Sequence, residues 1–358
     1  QASSPLIAGL CILVSAAAIS ATTSPEGHEL AASEHPVILA QNGEAKLPIV
    51  IAPDASEAMQ KTAAELADYL QRISGARFVI DDTGKGAGIV LGSLDDFPDP
   101  ELVEALAIHD FYDGVEAFVI RSDRNGVRLL ANTDLGASHA AYRFLELLGC
   151  RWFFMAPKWE IVPEIGSLSF ALNEDSRPDI WSRKIWFSRL SQRGEKGDPD
   201  LRDVFADWCR RNRMADSLDV KIYHRWHAIP DDFPEQFEQH PEYFALVDGK
   251  RKPPQLCVTN PGLQRVMIDY AHAHFEANPD ADMVSLDPAD QAGWCTCAEC
   301  AKLGHHSAQP FYLANIVGGK LAKTHPGKFV GLLAYSWYSA PPPFKLEPNV
   351  YVQMTLGF

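Results

Sequence analysis

The residues best suited to chemistry lie between Met283 and Lys302, in the stretch MVSLDPADQAGWCTCAECAK. A short apolar run, Met283 to Leu286, stops at Asp287-Pro288. The segment behind it carries Asp287, Asp290, Trp294, Cys295, Cys297 and Cys300. Carboxylates just past the carboxyl end of a buried strand, followed by a loop rich in ligand groups, are how α/β barrels build active sites. Two such groups suit general acid–base work, in which one carboxyl gives a proton to a leaving oxygen. Asp287 has a plainer reading too, because Asp before Pro readily closes an Asx-turn.

The pattern Cys295-x-Cys297-x-x-Cys300 is the sharpest in the chain. Three thiolates at this spacing can share one tetrahedral Zn²⁺, with Cys257, His305 or His306 as the fourth ligand. The rival is a disulfide, for example between Cys257 and one of the trio, which an oxidising compartment would favour. Four protein ligands would close the metal's sphere, so the zinc reading is structural, and catalysis needs no cofactor. No strand-to-helix elbow frames a catalytic thiol here.

A second constellation is His224-Arg225-Trp226-His227, expected at a strand end. Histidines can hydrogen-bond sugar hydroxyls, an arginine can pair with a uronate or sulfate, and a tryptophan can stack on a pyranose face. The alternative is a solvated loop with one core tryptophan. Trp294, Tyr335 and Trp337 would add aromatic walls, or each could serve core packing. No glycine-rich phosphate loop, HExxH or G-x-S-x-G is present.

The elements that must position these groups read as α/β. Leu47 to Ala52 is a strand, and Asp54 or Ser56 caps a helix running to about Ser74, with Gly75 as its left-handed stop. Arg77 to Ile80 and Gly88 to Gly92 are short strands. Ala117 to Arg121 and Val127 to Ala131 flank an Asn125-Gly126 hairpin signal. Leu135 to Leu148 is a helix, followed by a strand at Arg151 to Phe154. Together they predict a small α/β domain over 37–172, joined by a short linker, Asn173 to Pro178, to a second domain over 178–358.

In the second domain, strands alternate with helices, which predicts a parallel sheet. The strands are Lys184 to Phe187, one within Ala215 to Tyr223, Leu256 to Val258, Met283 to Leu286, Phe329 to Tyr335 and Val350 to Thr355. The helices are Pro199 to Asn212, one from Asn260-Pro261 to about Glu276, and Pro310 to Lys323. Phe244 to Val247 and the basic run after Asp248-Gly249 read as a hairpin. Six strands in about 180 residues fall short of a closed (β/α)₈ barrel of about 250, so the barrel is expected to be incomplete.

The chain begins with Gln1, and its start is expected to be missing. Leu6 to Ala18 is an apolar run too short for a bilayer and reads as part of a signal peptide over 1–24, with a linker over 25–36. Export is the implied localisation. The net charge of −15 excludes nucleic acid as a partner, because no basic stripe is available to neutralise phosphates. No membrane span is expected.

The Trp294 to Cys300 run behind a strand and an acid resembles the signature of DUF4838 proteins. His224 to Trp226, His240 to Leu246 and Gln255 to Pro261 resemble the same family. Residues 37–172 resemble the small α/β domain before the barrel in β-hexosaminidases and α-glucuronidases. The closest stretches are Asn132 to Ala137, Tyr142 to Glu146 and Gly149 to Phe153. The resemblance implies that small domain followed by a (β/α)₈ TIM-type barrel. It further implies an exported glycoside hydrolase acting on a polysaccharide or glycan, with Asp290 as proton donor. The second catalytic group would be Asp287, a residue on further strands, or the substrate's own N-acetyl group. Many relatives carry Asn where this chain has Ala289, which leaves a non-catalytic glycan-binding protein on the same fold as the alternative. A third reading makes His224, His227 and the cysteines a catalytic metal site. Glu242 resembles a family position, but no role follows from its surroundings.

Overall fold

Helix α1 (Glu57–Ser74) shows how local sequence sets an element. Ala63, Leu66, Leu70 and Ile73 fall on one face and are buried, and the Ser56 hydroxyl accepts from the Met59 N–H at the open end. Gly75 ends it in the left-handed conformation, with its N–H returned to the Gln71 carbonyl. The computed structural model describes residues 29–108, 114–180, 182, 183, 185, 199–214 and 218–355. The signal-peptide segment 1–24 lies outside them, as does the strand expected at Lys184 to Phe187 apart from Ile185. No helix among the described residues is long and apolar enough to cross a membrane.

The chain divides into two compact units, one up to residue 217 and one from Leu218 onward. The first is built on an eight-stranded mixed sheet. Its strands are β1 (Glu29–Gln41), β2 (Glu44–Ala45), β3 (Ile49–Val50), β4 (Ile80–Asp81), β5 (Gly88–Ser93), β6 (Phe118–Asp123), β7 (Gly126–Ala131) and β10 (Leu168–Ser176), in the order β2-β1-β10-β6-β7-β5-β3-β4. β8 (Arg151–Trp152) and β9 (Glu160–Ile161) form a separate small ladder. α1 and α2 (Asp134–Leu147) cover one face, meeting Ile89, Leu91, Ile120 and Leu129. Val119 and Leu130 point to the other face, against Leu102 and Leu106, as strand alternation requires.

At the β6–β7 hairpin the two-residue turn is Arg124-Asn125, and Gly126 already pairs with Asp123. Gly126 has φ +143, and a Cβ there would lie 2.0 Å from the Gly88 carbonyl oxygen on β5. The glycine is required by a neighbouring strand as much as by the turn.

Two expected linkers are corrected. Residues 29–36 belong to β1, and Asn173 to Ser176 complete β10, pairing Glu29↔Asp175 through Ala32↔Leu172. The polar composition suggested a linker, but the polar groups of β10 are satisfied internally. Asn173 accepts from the Ser122 N–H, and the buried Glu174 carboxylate takes the Arg143 guanidinium at 3.0 Å on both oxygens. Helix α3 (Pro199–Arg211), expected in the second domain, packs in the first unit. Arg210 pairs with Glu65 at 2.6 Å, and the Trp208 indole donates to the Trp152 carbonyl at 3.0 Å.

The second unit holds a hairpin of β11 (Phe244–Val247) and β12 (Lys250–Leu256), turned through Asp248 (φ 51) and Gly249 (φ 75). It also holds a parallel sheet β13-β14-β15, formed by Met283–Ser285, Phe329–Ala334 and Val350–Met354. Short helices α4 (Ile229–Asp232), α5 (Pro234–Gln239) and α7 (Ala298–Ala301) lie in its connections. α6 (Pro261–Ala277), capped by the Asn260 side chain, and α8 (Ala308–Thr324) supply the larger apolar faces. β13, α8 and β14 make one βαβ unit, so the architecture is mixed α/β.

Two expected strands in this unit are also corrected. Leu256 to Val258 is no parallel strand: Leu256 ends β12, antiparallel to β11, and Cys257 leads into a turn. Leu218 to Tyr223 forms no ladder. The Ser285 hydroxyl donates to the Tyr223 carbonyl at 2.7 Å and accepts its N–H at 3.1 Å, leaving only the parallel bridge His224↔Asp287.

Candidate active site at the carboxyl edge of the parallel sheet

β13 ends at Ser285, and two residues later Asp287 turns its side chain into the protein. It is fully buried. The Leu333 N–H on β14 donates to Oδ1 at 2.8 Å, and the Tyr338 hydroxyl donates to Oδ2 at 2.9 Å. His224 Nδ1 lies 2.7 Å from the same Oδ2 and 2.8 Å from the Pro288 carbonyl. Both partners are acceptors, so Nδ1 carries a proton and Nε2 is the nitrogen that titrates. Nε2 faces Asp290 Oδ2 at 3.8 Å. The Asp290 side chain is 61% exposed, so His224 stands between a buried and an exposed carboxyl. The hydrogen bond to Asp287 raises the His224 pKa, against burial, and the Pro288 carbonyl adds to the rise. Burial and the Asp287 carboxylate push the Tyr338 hydroxyl up, so it stays a donor.

The loop carrying Asp290 is held from below. The Gln255 amide, buried at the end of β12, donates to the Ala289 carbonyl at 2.9 Å and to the Gln291 carbonyl at 2.5 Å. Past β14, Ser336 adopts φ +47, an uncommon region for a non-glycine residue, and opens the turn Ser336–Tyr338. That turn sends Tyr338 inward to Asp287 and leaves Trp337 58% exposed.

The other expected binding residues separate into two groups. Tyr335 is half-buried with its ring 5.9 Å from the His224 ring, and Trp337 is exposed on the same edge. His227 is exposed. Trp226 is fully buried, its indole donating to the Leu286 carbonyl at 2.7 Å, so it is a core residue and presents no face to a sugar. Arg225 is engaged by Asp232 and by Tyr270, whose ring lies 5.1 Å from the guanidinium carbon. Its backbone N–H donates to the Asp287 carbonyl at 2.9 Å, so it supports the site through its main chain. Trp294 is half-buried, stacked on His306 and edge-on to Trp226 and Tyr338.

The four cysteine sulfurs Cys257, Cys295, Cys297 and Cys300 lie within 4.8 Å of one another, all as free thiols. Cys257 is thereby the fourth member. His306 is instead stacked on Trp294 with Nε2 2.9 Å from the Trp337 carbonyl.

Residues 154–356 match the model of the family described as "Domain of unknown function (DUF4838)", more than half of the chain. The chain belongs to the DUF4838 family. No curated protein sequence matches it. Among solved structures, it is similar to a GH20 exo-β-N-acetylglucosaminidase from Vibrio harveyi in complex with N-acetylglucosamine. The identity is 12% and the TM-score 0.39, over 94% of this chain and 57% of that one. It is also similar to the GH20 β-N-acetylhexosaminidase of Streptomyces coelicolor A3(2), at 16% identity and a TM-score of 0.42, over 91% and 67% of the two chains. This DUF4838 chain thus spans little more than half the length of the first and two thirds of the second.

Tyr338 and Gln255 are the two site residues that sequence reasoning missed in this DUF4838 chain. The signal for Tyr338 was its place just past a strand, in a run already noted for Tyr335 and Trp337. Nothing local to Gln255 predicts that its amide reaches the backbone of a loop more than thirty residues away.

Proposed function

We propose that this DUF4838 protein is an exported glycoside hydrolase, acting on a polysaccharide or glycan at the carboxyl edge of a (β/α)-barrel-type second domain. The observation that carries this reading is the Asp287–His224–Asp290 array, with His224 held between a buried and an exposed carboxyl. In this reading Asp290, protonated, gives its proton to the glycosidic oxygen as the bond from that oxygen to the anomeric carbon breaks. The raised His224 pKa keeps the imidazolium charged to higher pH, where its Nε2 faces Asp290 Oδ2 at 3.8 Å. Asp287, whose oxygens are taken by Leu333, Tyr338 and His224, is a positioning residue. The second catalytic group is then the substrate's own N-acetyl oxygen or a residue on further strands. Tyr335 and Trp337 offer aromatic surface for a sugar ring on the same edge.

The loose 3.8 Å separation and the exposure of Asp290 favour one other reading, a glycan-binding protein with no working acid. Leaving-group dependence separates the two. A general acid is needed most for poor leaving groups, so Asp290→Asn should abolish turnover of alkyl glycosides and natural glycans while sparing dinitrophenyl glycosides by comparison. Equal loss on both kinds of substrate would remove Asp290 from the acid role.

A further inference from the structure

The cysteine cluster stands apart from the carboxyl array and does not depend on the glycosidase reading. Cys257 follows β12, and Cys295, Cys297 and Cys300 lie in the connection after β13, the last of them in α7, so two separate segments converge on one point. A tetrahedral Zn²⁺ with Zn–S bonds of about 2.3 Å holds its sulfurs about 3.8 Å apart. The Cys257 sulfur is 3.7 Å from that of Cys297 and 3.9 Å from that of Cys300, and all four lie within 4.8 Å of one another. A disulfide needs only one partner per sulfur, at about 2.05 Å. Four sulfurs gathered around one centre are the arrangement a single metal requires.

The surroundings are those of a thiolate site. The Leu246 N–H donates to the Cys295 sulfur at 3.3 Å, and the Cys300 N–H to the Cys297 sulfur at 3.5 Å. The Thr259 hydroxyl is 3.2 Å from the Cys300 sulfur, and the Arg251 guanidinium is 3.8 Å from that of Cys295. One Zn²⁺ with four thiolates carries two net negative charges. A guanidinium, two amide N–H groups and a hydroxyl are suitable donors to offset them. The loop is fixed independently as well: the Gln309 side chain bonds both the N–H and the carbonyl of Cys295, at 3.2 and 2.9 Å. The Thr296 hydroxyl bonds the Leu246 carbonyl at 2.8 Å.

We propose that Cys257, Cys295, Cys297 and Cys300 bind one structural Zn²⁺ that ties the Asp290-bearing loop to the β11–β12 hairpin. Binding converts four thiols to thiolates and releases their protons to solvent, so affinity falls as pH falls. All four positions are taken by sulfur, which leaves no open site for a substrate.

The test is the metal and thiol content of the full-length protein purified without added chelator. One zinc per chain is expected, with the four thiols shielded from a thiol reagent until the metal is removed. Chelation should lower the urea midpoint, and zinc should restore it. Thr259→Val, which leaves the four ligands intact, should weaken zinc affinity by about 10–100-fold. Cys150→Ser, in the first unit, should leave zinc content at one per chain. Metal-free protein whose four cysteines appear as two disulfides after denaturation would overturn the proposal. So would metal-free protein with four reactive thiols that fails to take up zinc or cobalt. Cobalt uptake by wild-type protein, read from the visible bands of tetrahedral thiolate coordination, settles the question even if the variants fold poorly.

Discussion

Replacing Asp287 by Asn keeps the side chain's shape and removes its charge. The wild-type carboxylate receives Leu333 N–H, Tyr338 O–H and His224 Nδ1–H at 2.8, 2.9 and 2.7 Å, with no solvent contact. An Asn carbonyl can serve Leu333, but its NH₂ then stands where Oδ2 took two donors. Tyr338 can turn its hydroxyl to accept, whereas His224 falls back on the Pro288 carbonyl. A hydrogen bond to a charged group contributes about 1.5–3 kcal/mol, so losing one and weakening another should cost about 2–4 kcal/mol of unfolding free energy.

The pH dependence gives the same argument a sign. The folded His224 pKa is raised above its ordinary value of 6.5, chiefly by Asp287. Its stabilising contribution is therefore full below that ordinary value and is lost as pH rises through the raised one. In Asp287→Asn that slope should vanish, and the His224 pKa should drop, because burial opposes the charge and its main support is gone. Urea unfolding at a series of pH values, with the His224 ring resonances followed by NMR, measures both effects. A variant as stable as wild type, with an unchanged His224 titration, would refute the pairing on which the site is built.

The two tryptophans should behave oppositely. Trp226→Ala removes a fully buried side chain and should cost about 3–5 kcal/mol, whereas Trp337→Ala should leave stability within about 0.5 kcal/mol and weaken glycan binding, both read by unfolding and by calorimetry. Gly126→Ala places a Cβ 2.0 Å from a backbone oxygen that cannot retreat within its sheet, so soluble yield and melting temperature should fall sharply. If the positive charge of His224 beside Asp290 supports catalysis, activity should decline as pH rises through the raised His224 value. In Asp287→Asn that decline should move to lower pH, as a pH–rate profile would show.

Much of the fold was legible because its signals are local. Ser56 and Gly75 bound α1, Asn260 caps α6, Asp248-Gly249 turns the β11–β12 hairpin, and the apolar runs at β13, β14 and β15 form strands where expected. Errors came where a distant partner decides the outcome. β10 continues through Asn173 and Glu174 only because Ser122 and Arg143 satisfy them. The segment at Tyr223 loses its ladder to the Ser285 hydroxyl. At the site, residue type identified Asp287, Asp290, His224 and the four cysteines as a set worth attention. It did not reveal that Asp287 faces inward, that Trp226 is core, or that Arg225 is spent on Asp232, because exposure depends on how β13, β14 and the 224–228 turn meet.

The most direct test of the central claim is hydrolysis of a panel of alkyl glycosides and oligosaccharides, including glucuronides and N-acetylhexosaminides, by the full-length protein and by Asp290→Asn. The account predicts turnover of at least one substrate by the wild-type protein and a collapse in the variant, with binding retained. Glycan binding by both proteins without turnover by either would contradict it and leave a binding protein on the same fold.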